Sequence, residues 1–265
     1  MPTLERPDVT LHYEERGGGP PLLLVAGIAS DSLSWLPVAT PLAARFRTLM
    51  PDNRGVGRTC PQDAPCSIDA MADDCAALLR HAGIERATVL GHSMGGFVAQ
   101  RLVRRHPGLV GRLVLVATAA GASERDRARF DAMAASLEAG EDRARWLARL
   151  FELVFTARFR NDRSMIAAVM AWSLAHPDAP SARGFRRQVD AMVAYDGTDD
   201  DAAIAVPTLV VAGREDPLFP VERCEAFARS LRAAGFAVIE DAAHAVHTEQ
   251  PAAFVDAIVR FAASA

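Results

Sequence analysis

The chain of 265 residues contains no lysine, so arginine carries all of its side-chain positive charge apart from histidine. A protein without a lysine ammonium cannot form a lysine Schiff base, which excludes pyridoxal phosphate enzymes and lysine-dependent aldolases. Basic excess is missing too. The formal net charge is -4, which leaves no footprint for a phosphate backbone and makes nucleic acid an unexpected partner. Cysteine is sparse, and Cys60, Cys66, Cys75 and Cys224 show neither CxxC spacing nor the density of a disulfide scaffold. Neither a metal site nor redox chemistry is therefore expected. No apolar run reaches the roughly 18 residues of a membrane span, and residues 1–7 lack the basic and apolar stretches of a signal peptide. The expectation is a soluble cytoplasmic protein with no membrane partner.

What is present suits a globular enzyme. Apolar residues make up 50% of the chain and charged ones 23%, and this length accommodates one catalytic core with an insertion. Residues 9–15 alternate partly in strand fashion, Gly17-Gly18-Gly19-Pro20 breaks the pattern, and residues 21–26 form a buried-strand run, together reading as a hairpin. Further short apolar runs at 46–50, 87–90, 113–117, 208–212 and 236–240 read as strands. Helical patterns occupy 68–82, 95–105, 221–234 and 252–263. This alternation predicts an α/β fold with a mostly parallel sheet covered by helices on both faces.

Residues 121–201 interrupt the rhythm, with helical segments and no strand. In that stretch Trp146, Leu147, Leu150, Phe151, Val154 and Phe155 make one broad apolar helix face. The segment reads as an inserted helical cap between core segments 1–120 and 202–265. The acidic run Asp199-Asp200-Asp201 would be a solvated connector back to the sheet.

The most specific signal is Gly91-His92-Ser93-Met94-Gly95, a G-x-S-x-G motif placed between a predicted strand and a predicted helix. A serine at such a sharp turn has an exposed hydroxyl, the glycines clear room for the turn, and the helix start aims N–H groups at developing negative charge. Ser93 is thus a candidate nucleophile.

With this motif in that context, the chain resembles the α/β-hydrolase family, in its serine-nucleophile branch. Gly213-Arg214-Glu215-Asp216-Pro217-Leu218-Phe219-Pro220 is similar to the family's Gly-x-x-Asp-x-x-x-Pro segment, so the resemblance implies Asp216 as the acid and Glu215 as a surface charge. His244-Ala245-Val246-His247-Thr248-Glu249-Gln250-Pro251 is similar to its His-x-x-x-x-Glu-x-Pro segment, implying His244 as general base, with His247 as the competitor. The order Ser93, Asp216, His244 is the one this fold uses. Ala26-Gly27-Ile28 stands where the family has His-Gly, which implies an oxyanion hole from the backbone N–H groups of Ile28 and Met94. Asp52-Asn53-Arg54-Gly55-Val56-Gly57-Arg58-Thr59 resembles a structural turn of the family, with Asp52 and Arg54 satisfying buried groups. His92 reads as a packing residue.

The resemblance implies acyl transfer through a Ser93 acyl-enzyme, on a small-molecule ester, lactone or thioester, with no cofactor or metal. Its carboxylesterase and enol-lactonase branch is the most similar. Hydrolytic cleavage of a carbon-carbon bond in a diketone-like acid, and ligand sensing with little turnover, are alternatives. Trp146, Phe155 and Trp172 are candidate substrate contacts, with Phe130, Met133, Phe151 and Met170 as further pocket candidates and core packing as the competing role for each. Arg186 and Arg187 either meet a substrate carboxylate or face solvent.

Overall fold

The computed structural model describes residues 2–198 and 204–263, so the acidic run Asp199-Asp200-Asp201 and the predicted cap boundary at 201 lie outside the described residues. Strands β1 (Thr3–Glu5), β2 (Thr10–Arg16), β3 (Pro21–Val25), β4 (Arg47–Pro51), β5 (Ala87–His92), β6 (Val110–Val116), β7 (Thr208–Gly213) and β8 (Ala234–Ile239) form one sheet. Their order is β1-β2-β4-β3-β5-β6-β7-β8. The β1–β2 and β2–β4 pairings are antiparallel and all later ones parallel.

The predicted hairpin of β2 and β3 does not form. β4 lies between them: Thr48 Oγ1 donates to Arg16 O at 3.1 Å, and Arg47 N–H donates to Pro20 O at 3.0 Å. Closeness in sequence brought the two strands into one sheet, and the parallel partner available from β4 displaced the direct pairing.

Helices α1 (Leu36–Ala43), α2 (Ile68–His81) and α3 (Met94–Arg105) connect the early strands. Five more, α4 (Glu124–Glu138), α5 (Arg143–Val154), α6 (Ala157–Asn161), α7 (Arg163–Ala175) and α8 (Ala182–Ala194), are inserted between β6 and β7. α9 (Val221–Ser230), the short α10 (Val246–Glu249) and α11 (Pro251–Ala263) complete the chain. α9 ends four residues before the predicted 234, because Ala234 pairs with Thr208 and is drawn into β8.

Side-chain alternation along the strands divides the core into two layers. Leu23 and Val25 of β3, Leu113 and Leu115 of β6 and Val210 of β7 pack with α2, α3 and α9. Leu22, Leu24, Val114, Val116, Leu209 and Val211 face the other side, against Val38 and Leu42 of α1 and Phe254 and Ile258 of α11. The inserted helices begin at Ser123, Asp142, Thr156, Asp162 and Ser181, each accepting a backbone N–H of the first turn. No helix among the described residues is long and apolar enough to cross a membrane.

Candidate active site

Parallel strands end together, so the loops that follow them converge on one rim of the sheet. Ser93 follows β5 and opens α3 with φ 54° and ψ -120°, a left-handed conformation that a serine adopts only under constraint. The constraint is visible. Ser93 N–H donates to Val116 O at 2.9 Å, and Ser93 O accepts from Gly96 N–H at 2.9 Å and from Thr118 Oγ1 at 3.0 Å. The glycines of the motif are required by packing, since a Cβ on Gly91 would stand 2.2 Å from Gly95 O and one on Gly95 would stand 2.1 Å from Val25 O.

Asp216 lies in the loop after β7, 4% exposed. Its Oδ1 accepts the N–H groups of Leu218 at 2.8 Å and Phe219 at 3.1 Å, which leaves Oδ2 for His244 Nδ1 at 2.9 Å. That contact fixes the proton of His244 on Nδ1 and turns the lone pair of Nε2 outward. Phe219 stacks on the His244 ring, with centroids 5.8 Å apart. Ser93 and His244 line one cavity of about 440 Å³. Their side chains are not hydrogen-bonded to each other in this structure, a leg that is commonly long before substrate arrives and tightens in the Michaelis complex.

Two further histidines surround His244. His92 donates from Nε2 to His244 O at 2.9 Å, so it holds the backbone of the loop as well as packing in it. Burial holds His92 well below the ordinary imidazole range. His247, on α10, packs between Trp35 and Phe254, and burial, reinforced by His244, pushes it down to about 3. Both neighbours are therefore neutral near pH 7 and add no repulsion when His244 takes up a proton.

Ile28 lines the same cavity, and Met94 is the first residue of α3. Among the described residues neither N–H meets a protein acceptor, which leaves both available as donors. The loop carrying Ile28 is clamped on both sides. Asn53 Nδ2 donates to Ala26 O at 2.9 Å, and Ala29 N–H donates to Gln188 Oε1 at 2.8 Å. Gln188, fully buried in α8, uses its Nε2 on Arg54 O at 2.7 Å. Arg54 itself is gripped by Asp8 and Asp74, while Asp52 accepts the N–H groups of Ser32 and Arg58, so this turn is structural, as expected.

The insertion reaches the histidine loop as well. Glu249 accepts from Thr156 N–H and Oγ1 through one oxygen and from Ala243 N–H through the other, and Ala245 N–H donates to Val154 O. At the opposite wall His176 Nε2 lies 2.8 Å from Asp31 Oδ2, and burial followed by the nearby Asp52 carboxylate pushes the Asp31 acid up. No local pattern in the sequence marks Gln188 or His176, or the bond from Asn53 to Ala26, because each contact joins distant segments. The Glu249 of the His-x-x-x-x-Glu-x-Pro segment was the one visible hint of such a tie.

Trp146, Phe155 and Trp172 all line the cavity, in different settings. Trp146 is fully buried with Nε1 donating to Met133 O at 3.1 Å, Phe155 stacks on Phe159, and Trp172 is 47% exposed. Phe130 and Phe151 line it too, whereas Met133 is buried in the core and Met170, half-buried, packs against that core. Arg186 is held on α4 by Asp131 and Glu138, and Arg187 is exposed, so neither borders the cavity. Glu215 lies at the surface, outside the Asp216–His244 contact.

Comparison with known proteins adds an independent line. Residues 20–251 match a family model described as the alpha/beta hydrolase fold. The chain is 31% identical over 261 residues to RutD of Azorhizobium caulinodans, a proposed carbamate hydrolase, covering 98% of each chain. A thermophilic esterase from Thermogutta terrifontis, solved with malate bound, superposes with a TM-score of 0.86 at 30% identity, over 98% of this chain and 96% of that one. The enol-lactonase from Burkholderia xenovorans LB400 superposes with a TM-score of 0.88 at 25% identity, over 99% and 100% of the two chains.

Proposed function

The chain belongs to the alpha/beta hydrolase fold family, and from that premise we propose that it is a serine hydrolase that cleaves a carboxylic ester or lactone through an acyl-enzyme on Ser93. One observation carries this reading: a serine held at φ 54° on a strand-to-helix turn shares a cavity with a histidine whose Nδ1 is 2.9 Å from a buried carboxylate. An esterase and an enol-lactonase among the similar structures support the choice of ester and lactone chemistry.

In this mechanism His244 Nε2 takes the Ser93 proton as Oγ attacks the acyl carbon, and Asp216 steadies the imidazolium that results. The oxyanion accepts hydrogen bonds from the Ile28 and Met94 N–H groups, each worth roughly 10²- to 10³-fold in rate. His244 then protonates the leaving alcohol. The same base activates water to release the acid. The neutrality of His92 and His247 matters here, because a second positive ring beside His244 would oppose its protonation.

The test is turnover of short 4-nitrophenyl esters and of lactones, followed from the first milliseconds. The expected result is a burst of one nitrophenolate per chain and then steady hydrolysis, both lost in Ser93→Ala. Absence of turnover on every ester and lactone would overturn the reading.

A further inference from the structure

Among the described residues that line the cavity there is one guanidinium, and the proposed reaction does not use it. Arg143, the first residue of α5, is half-buried and lines the cavity. One of its N–H groups donates to Pro180 O at 2.9 Å, and its central carbon lies 5.2 Å from the centre of the Trp146 ring. No carboxylate among the described residues pairs with it. Burial alone pulls it below the ordinary guanidinium range, with no acid acting in the opposite direction.

The other arginines near the site differ. Arg54 is held by two carboxylates and Arg186 by Asp131 and Glu138. Among the described lining residues Arg143 is the one guanidinium and Asp31 the one carboxylate, and Asp31 is engaged by His176 and by the Leu33 N–H. The walls beside Arg143 are apolar, including Leu147, Leu150 and Phe151. The one bond to Pro180 leaves further N–H donors of this half-buried guanidinium over, and a carboxylate meets two of them in parallel. Trp146 and Pro180 fix its position beforehand.

We propose that Arg143 forms a carboxylate subsite, so that the substrate is an ester or lactone bearing a carboxylate away from the bond that is cleaved. This rests on the hydrolase reading above for what happens to the substrate, but not for what Arg143 binds. A single guanidinium balances one negative charge. A phosphate dianion would call for a second permanent cation, and the described lining contains no other guanidinium and no ammonium.

Two measurements separate the subsite from the chemistry. The first compares kcat/KM for the 4-nitrophenyl monoester of glutaric acid with that for 4-nitrophenyl hexanoate, a neutral ester of similar length. The protein should favour the charged ester by at least about tenfold, mainly through KM. Arg143→Met should lower that preference about 10- to 100-fold, the range for a hydrogen bond to a charged group. Arg143→Lys, which keeps the charge but loses the fork, should fall between.

The second measures binding of glutarate by calorimetry in Ser93→Ala and in Ser93→Ala combined with Arg143→Met, with thermal unfolding confirming that both fold. Binding by the first and not the second supports the subsite, even if no ester is turned over. An unchanged preference in Arg143→Met, or glutarate binding that is absent or insensitive to it, overturns the subsite, while hexanoate turnover would leave the hydrolase reading standing.

Discussion

The parallel sheet and the helical insertion meet at one cavity but are held together by different means. In the sheet, β3 is buried on both faces along Leu22, Leu23, Leu24 and Val25, and β7 is buried throughout. In the insertion, α7 has no buried residue, and Met165, Trp172 and Leu174 are about half exposed. Ser93 and Asp216 follow the buried strands β5 and β7, where packing fixes positions closely, while His244 follows the edge strand β8 and is held by its contacts with Asp216 and His92. Much of the apolar cavity wall comes from the insertion, where Trp146, Phe151 and Phe155 are buried but the wall given by α7, with Trp172, is loosely packed. The difference teaches that, under the proposed function, substitutions on α7 should be tolerated better than those at the sheet loops or at the buried insertion residues.

The division is not complete, because the insertion is tied to the reactive loops by polar contacts. Gln188 holds Ala29, Thr156 holds Glu249, Val154 holds Ala245 and His176 meets Asp31. Substitutions at three positions sharpen or break the contrast. The largest effect is expected from Asp216→Asn, which touches the core side alone. An amide cannot hold His244 in the required tautomer, so kcat should fall by about 10⁴ while the melting temperature stays close to that of the parent protein. A loss below tenfold would show that this carboxylate is not what orients His244.

Gln188→Leu asks whether the insertion takes part in the chemistry. It leaves Ala29 N–H and Arg54 O buried without partners beside the proposed oxyanion donor, and kcat should fall about 10- to 100-fold with a smaller change in KM. Gln188→Glu keeps an acceptor for Ala29 and should recover part of the loss. If kcat is untouched while KM rises, the insertion acts only as a cover.

The smallest effect concerns stability in acid. His247 is pushed to about 3 in the folded protein, against about 6.5 in an unfolded chain. Between those values the unfolded chain binds a proton that the folded one refuses, so stability falls as pH is lowered, by about 1.4 kcal/mol per pH unit for each such histidine. His92 shifts in the same direction. Urea unfolding between pH 7 and 5 should therefore show a steeper loss in the parent than in His247→Phe, by about one proton. Equal slopes would mean that His247 is protonated in the folded state.

Much of this was legible in the sequence wherever physics is local. The buried strands announce themselves as short apolar runs, and the elbow at Ser93 by glycines that make room for a tight turn. The insertion was legible only as helical segments: α4, α5, α6, α7 and α8 each follow a serine, threonine or aspartate that accepts a first-turn N–H, but such residues are scattered through 121–201 and do not single out the starts. α1 was hidden by Pro41 inside it, and β1 by its three-residue length. The pairing order of β2, β3 and β4 was misread because adjacency in sequence does not choose a partner. Gln188 and Ala29 lie 159 positions apart, and no periodicity connects them.

The most direct measurement is to treat the folded protein with a fluorophosphonate and locate the adduct by peptide mass spectrometry. A single adduct on Ser93, lost in Ser93→Ala and greatly slowed in His244→Ala, is the predicted result. An adduct on another residue, or none under conditions where the protein is folded, would contradict the assignment of the nucleophile.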